Sequence, residues 1–256
     1  MTHMDFVMLG TNGDPVTWDW AAYVLSQFPT FESQHNVSGY SFALGNYPNP
    51  FPDPRLPPLV SGLLSRFVIQ DTPNDADLLA VLTPVIDHIN ATWPGKMTFF
   101  ERTTSYNSFL AWYEVAYDAD FAGNNTLLGS RIMDERALSG DVQALSHLLE
   151  DVVTSTGGLT AFLVSGKGVH NAKPRGGSNA VLPAWRTSYT HSSMSPLPPC
   201  YPSPASSFAN RYTLKSFPHA FRRSMRQPKK KLSPKCARRR RNCALTHRTP
   251  ARTSTR

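Results

Sequence analysis

Two spacings of apolar residues alternate along the first three quarters of this chain. Trp18, Ala21, Ala22, Leu25 and Phe28 recur at helical spacing, so a helix is expected from Asp14-Pro15 to about Phe28, with Pro29 as its stop. Val37 to Leu44 alternates as a strand does, and Ser61 to Gln70 is a second strand candidate. The strongest helical pattern follows: Leu78, Leu79, Leu82, Val85, Ile86, Ile89 and Trp93, with Asn74 or Asp75 as cap, Pro84 as an expected kink and Pro94-Gly95 as the end. Lys96 to Arg102 is read as a strand and Ser105 onward as a short helix bearing Phe109, Leu110, Tyr113, Ala116 and Tyr117. Leu127 to Met133 is a further strand. A helix capped by Ser139 or Asp141 then carries Val142, Leu145, Leu148, Leu149, Val152 and Val153, and Leu159 to Val164 closes the series as a strand. The order helix, strand, strand, helix, strand, helix, strand, helix, strand predicts a sheet covered by helices, with no repeat of fixed period.

Charge divides the chain in two. Residues 1–191 hold 10 Lys and Arg against 18 Asp and Glu, and residues 192–256 hold 16 Lys and Arg with no acid. The overall charge of +8 therefore averages an acidic body and a basic tail. The tail has nine prolines and basic runs at 229–231 and 238–241. So many like charges with so little apolar surface predict disorder over 192–256 and one domain over 1–191. All three cysteines lie in the tail, and Cys236 and Cys243 lack zinc-site spacing, so no metal is expected. No apolar run approaches the length of a membrane span, and Met1 to Gly10 lacks the charged start and apolar centre of a secretory leader. Three sequons, at Asn36, Asn90 and Asn124, still hint at a secretory ancestry.

The chemistry-bearing motifs are mostly missing. There is no GxGxxG after a strand, no GxxxxGK[ST], no HExxH and no GxSxG. Ser165 to Ser178 packs Lys167, His170, Lys173 and Arg175 among glycines and a proline, which reads as either a loop facing an anion or cofactor or a solvated connection. The aromatic set Trp18, Trp20, Tyr40, Phe99, Phe100, Trp112, Tyr113, Tyr117 and Trp185 is read mainly as core. Six prolines between Pro48 and Pro58 mark a loop or insertion.

From Trp18 to His191 the chain resembles the substrate-binding half of fungal FAD-linked oxidoreductases of the berberine-bridge type, within the vanillyl-alcohol-oxidase class. The carrying stretches are Ser65 to Thr72, Asp87 to Gly95, Ser130-Arg131, Leu159 to Val164 and Gly168 to Asn171. To these is added Asn179 to Arg186, whose Asn-x-x-x-Pro-Ala-Trp-Arg pattern is the most specific. The resemblance implies an α+β fold in which an antiparallel sheet backed by helices roofs a flavin ring. It also implies FAD held by a separate domain, a small organic substrate oxidised by hydride transfer to flavin, and a family that is often secreted. Against that pattern the chain is expected to begin after the flavin-binding domain and to lack the closing C-terminal segment with its catalytic tyrosine. A shifted frame or retained intron would give the basic tail instead. Arg131, His170, Asn179, Tyr40 and Tyr113 are the expected substrate-lining residues, and no catalytic residue is assigned. The expectation is a truncated oxidoreductase, inactive alone. The alternative is a non-catalytic binding module whose basic tail contacts nucleic acid or an anionic surface.

Overall fold

The computed structural model describes residues 1–51, 53–72, 74, 76–116, 128–177 and 180–194. The tail beyond 194, where the disorder expectation falls, lies outside the described residues, as do Tyr117 and Asn179. The described residues form an α+β fold: seven strands in one sheet, every pairing antiparallel, packed with helices.

In chain order the strands are β1 (Thr2–Thr11), β2 (Val37–Pro48), β3 (Leu59–Ile69), β4 (Thr98–Ser105), β5 (Gly129–Asp134), β6 (Gly158–Leu163) and β7 (Ser188–Met194). The helices are α1 (Val16–Ser26), α2 (Phe28–His35), α3 (Ala76–Thr92), α4 (Phe109–Ala116), α5 (Glu135–Ser139), α6 (Val142–Thr156) and α7 (Lys167–His170). Across the sheet the order is β4-β1-β3-β2-β6-β7-β5. β1, which the periodicity reading passed over, therefore lies inside the sheet between β3 and β4. Its run Phe6-Val7-Met8-Leu9 is apolar on both faces, so alternation is hidden there. β7 continues to Met194, past the change of charge at His191, because a paired strand follows its ladder rather than the composition.

Local signals explain most boundaries. Asp141 accepts a hydrogen bond from the Ala144 amide at 2.9 Å and caps α6, and Asp134 does the same for α5 through Ala137 at 2.9 Å. Asn74 accepts from Ala76 N–H at 3.0 Å at the start of α3. Pro29 does not end a helix but sits in the first turn of α2, where its missing N–H has no intrahelical partner to lose. α1 stops one turn earlier, at Ser26. α3 runs on through Pro84 as one helix, with Leu78, Leu82, Val85 and Ile89 buried.

One face of the sheet carries the core. Met4, Phe6 and Met8 of β1, Leu63 and Phe67 of β3, Val37 and Ala43 of β2, and Leu159 and Ala161 of β6 pack against Trp20, Leu25, Phe28, Leu78, Leu82, Leu145 and Leu149 from the helices. Phe67 sits at the centre, edge-on to Phe6 at 4.9 Å, Phe28 at 5.7 Å and Phe31 at 5.8 Å. Trp18 and Trp20 belong to this core as expected, and Phe99 packs against it.

Candidate functional site

The pleat sends alternate residues to the second face, where His3, Asp5 and Val7 of β1 stand beside Val68, Arg66 and Leu64 of β3. The row continues through Tyr40 and Phe42 of β2, Thr160 and Phe162 of β6, and His191 of β7. Two elements lie over part of it. The proline-rich loop closes on itself through Asn49 N–H to Pro58 O at 2.9 Å and stacks Phe51 on Phe100 at 4.3 Å. Helix α4 brings Trp112 against His3, with ring centroids 6.4 Å apart. Towards β6 and β7 the face opens: Phe162 is 37% exposed and Tyr40 is half-buried.

His3, Asp5 and Arg66 on this face form one hydrogen-bonded row. Arg66 and Asp5 stand directly opposite each other in register, and the guanidinium grips the carboxylate in a fork, Nε to Oδ1 at 2.8 Å and Nη2 to Oδ2 at 3.2 Å. His3 Nε2 meets Asp5 Oδ1 at 2.9 Å, and the indole N–H of Trp112 donates to His3 Nδ1 at 3.1 Å. An indole nitrogen only donates, so Nδ1 holds a lone pair and the imidazole proton sits on Nε2, donating to Asp5. His3 is 5% exposed and Arg66 6%. Burial pushes the Asp5 carboxyl up, but the hydrogen bond from His3 and the hydrogen bonds and charge of Arg66 outweigh it and hold Asp5 below the ordinary carboxylate value. The Tyr106 ring stacks on His3 at 6.1 Å, and its phenol is raised by burial and by the Asp5 charge.

The five expected lining residues fall in different places. Tyr40 is on the second face, opposite Arg66 in register, with its ring 5.6 Å from Phe162. Tyr113 is on α4, one residue from Trp112, exposed and stacked with Phe109 at 6.1 Å. Arg131 is on the edge strand β5 opposite Ser192, which pairs in turn with Ala161 of the core face; it projects exposed from the helix side. His170 donates from Nε2 to Ser188 O at 2.7 Å and stands edge-on to Tyr189 at 4.7 Å, fastening α7 to β7. Asn179 is outside the described residues. Trp185 of the Pro-Ala-Trp-Arg stretch packs 5.6 Å from His191 on the second face.

The glycine- and cation-rich loop faces an anion of its own chain. The Lys167 amide donates to Glu32 Oε2 at 2.8 Å, and Ser165 donates to Ser188 O at 2.6 Å. A Cβ at Gly166 would lie 1.4 Å from the Glu32 Cδ, so glycine there makes room for that carboxylate. The amide a dinucleotide phosphate would need is already bound.

The row itself was missed in sequence. Its signal was polar residues at same-face positions in otherwise apolar strands, His3 and Asp5 in β1 and Arg66 in β3. Among the described residues no group of three or more His, Cys, Asp and Glu is placed to hold a metal ion, and no helix is long and apolar enough to cross a membrane.

The sequence matches no protein-family model and no curated protein. The structure is similar to a VAO-type flavoprotein of Myceliophthora thermophila C1, MtVAO713, with a TM-score of 0.63 at 18% identity over 88% of this chain and 38% of that one. A second VAO-type flavoprotein of that organism, MtVAO615 at pH 5.0, aligns with a TM-score of 0.50 at 18% identity over the same shares, 88% and 38%. A chitooligosaccharide oxidase aligns at a TM-score of 0.46 and 13% identity, over 86% of this chain and 45% of that one. The likeness is one of fold, and the chain spans less than half the length of each of these structures.

Proposed function

We propose that this chain is the substrate-binding half of a VAO-type flavin oxidase, of the berberine-bridge kind, and that the second face of its sheet covers a flavin ring and the small organic molecule oxidised there. The observation that carries the reading is the asymmetry of the sheet. Its helical core packs on one face, and the opposite face carries a built row of Trp112, His3, Asp5 and Arg66 beside the aromatic pair Tyr40 and Phe162. Buried charges placed away from the core and towards a partly open face are characteristic of sites rather than scaffolds.

The described residues suit the ring of a flavin and not its phosphates. The loop with the right composition for a phosphate is committed to Glu32. Flavin, when bound, supplies the two-electron acceptor; this chain's share is to orient the substrate and exclude water. The phosphate-holding domain then belongs to sequence outside residues 1–191, and the chain is inactive alone.

The test is a titration of the purified chain with FAD, read by visible absorbance, together with small aromatic alcohols read by NMR. The absorbance is expected to remain that of free flavin throughout, while the alcohols shift Tyr40, Phe162 and His191. A saturable flavin band shift overturns the inactive-alone reading. No alcohol-induced shift on the second face overturns the substrate-side reading.

A second reading rests on the 16 Lys and Arg of residues 192–256. Such a segment binds polyanions without sequence preference, and retention of DNA by a 192–256 peptide that vanishes with added salt would support it.

A further inference from the structure

We propose that Asn36 and Asn90 carry N-linked glycans on two solvent-facing surfaces of the fold. The proposal is independent of the flavin reading and needs only that the chain passes through a secretory lumen. The co-reactant there is an oligosaccharide carried on a lipid pyrophosphate. A bond forms between the first sugar's C1 and the asparagine Nδ2, the C1–O bond to the pyrophosphate breaks, one Nδ2 proton goes to solvent, and the lipid pyrophosphate leaves.

Of the three sequons, Asn36-Val37-Ser38 and Asn90-Ala91-Thr92 are described, and the one at Asn124 lies outside the described residues. A glycan needs a side-chain amide that the fold does not already use, with open solvent beyond it. Asn36, Ser38, Asn90 and Thr92 are all exposed. Among the described residues neither acceptor amide has a hydrogen-bond partner. Other asparagines are committed. Asn12 Oδ1 accepts from Asn46 N–H at 2.8 Å and from the Ser61 hydroxyl at 2.7 Å, Asn49 Oδ1 accepts from Phe51 N–H at 2.9 Å, and Asn74 Oδ1 accepts from Ala76 N–H at 3.0 Å. A sugar on any of those three competes with a turn or a cap, whereas on Asn36 or Asn90 it displaces only water.

At Asn36 the structural task falls to the backbone. The residue is left-handed (φ 54°, ψ 32°) at the end of α2, and its amide donates to Glu32 O at 3.1 Å, so substitution at Nδ2 leaves the cap whole. Asparagine suits that conformation, which explains residue 36 but not Ser38, whose hydroxyl has no partner among the described residues. The sequon accounts for both. At Asn90 the fold offers no reason for asparagine at all. It is a poor helix former in the last turn of α3, one position past buried Ile89, on the outward stripe with Thr83 and Asp87. No side-chain bond offsets that cost. Thr92, two positions on, makes only a long contact with His88 Nε2 at 3.4 Å. Glycans at these positions keep the turn between α2 and β2 and the outer side of α3 in water, so a covering domain must dock elsewhere.

The experiment expresses the full chain behind a secretory leader in yeast and treats its peptides with peptide N-glycosidase in heavy-oxygen water. Each occupied asparagine then reads as heavy-oxygen aspartate by mass spectrometry. Label is expected at Asn36 and Asn90. None is expected at Asn46, which shares an exposed left-handed turn (φ 51°) but is followed by Tyr47-Pro48. Ser38→Ala and Thr92→Ala should each abolish label at their own asparagine while leaving that asparagine in place. The native chain, without denaturant, should release both glycans to the enzyme with its far-ultraviolet dichroism unchanged. Peptides are read from the cell-retained pool as well as the medium, so a chain that is made but not released still reports. Absence of label at Asn36 or at Asn90 overturns that site, and label that survives Ser38→Ala or Thr92→Ala overturns the sequon assignment. Glycans released only after unfolding overturn their solvent-facing placement.

Discussion

Replacing Asp5 by Asn should unsettle the sheet from its centre. The substitution keeps the shape and an oxygen that can accept from His3, but it removes the charge facing Arg66 and turns one edge of the fork into a donor facing a donor. Removing one partner of a fully buried ion pair costs about 3–5 kcal/mol, because the other charge is stranded. Here the Arg66 side chain is 7% exposed and the Asp5 side chain 27%, so water reaches one partner and the cost is discounted to about 2 kcal/mol. With a urea slope of about 2 kcal/mol per molar, the unfolding midpoint should fall by about 1 M at neutral pH. The acid dependence follows from the sign of the shift. Asp5 titrates lower folded than unfolded, so its contribution is present above about pH 4 and is lost as pH falls through the folded value. The midpoints of the parent chain and Asp5→Asn should therefore converge in acid. Asp5→Asn/Arg66→Met, which removes the stranded charge, should recover more than half of the loss. A midpoint change below about 0.2 M, or a double variant no better than the single, would refute the claim that Asp5 exists to neutralise Arg66.

Other outcomes are equally specific. Gly39 (φ 134°) and Gly62 (φ 154°) hold conformations that L side chains rarely adopt, and a Cβ would lie 2.0 Å from Arg66 O and 2.1 Å from Met8 O respectively; Gly39→Ala or Gly62→Ala should cost about 3 kcal/mol or more in thermal unfolding, since no backbone atom there can yield. Gly166→Ala has only the end of the Glu32 side chain to displace, so it should cost about 1 kcal/mol, and Gly166→Ala/Glu32→Ala should cost little more than either change alone, because both delete the same bond. The Tyr47 phenol is pushed up to about 12 by burial, so ultraviolet titration should show Tyr47 ionising late, in a step that Tyr47→Phe removes, and stability should decline as pH rises from about 10 through about 12.

Residues 1–191 declared most of their elements in advance because each satisfies a local rule. Helix α3 shows its period, α6 its aspartate cap, and β6 its apolar run between a Gly-Gly break and a polar loop. The resemblance carried by Asp87 to Gly95 and Asn179 to Arg186 added the antiparallel sheet, which no spacing could supply. β1 stayed hidden because its second half, Phe6 to Leu9, presents apolar side chains to both faces and loses its alternation. The site divides in the same way. Tyr40 could be named because an aromatic residue in an alternating strand is visible as such. His3, Asp5, Arg66 and Trp112 could not be joined, since Asp5 and Arg66 are 61 residues apart and His3 and Trp112 are 109 apart. The sequence by itself determined most of the strands and helices between Asp14 and Val164 and where charge changes sign, because propensity, capping and composition act over neighbouring residues. Only the tertiary structure decided the sheet order and which face each polar residue takes, because strand register is set by the simultaneous packing of distant segments. That register turns four unremarkable side chains into one hydrogen-bonded row.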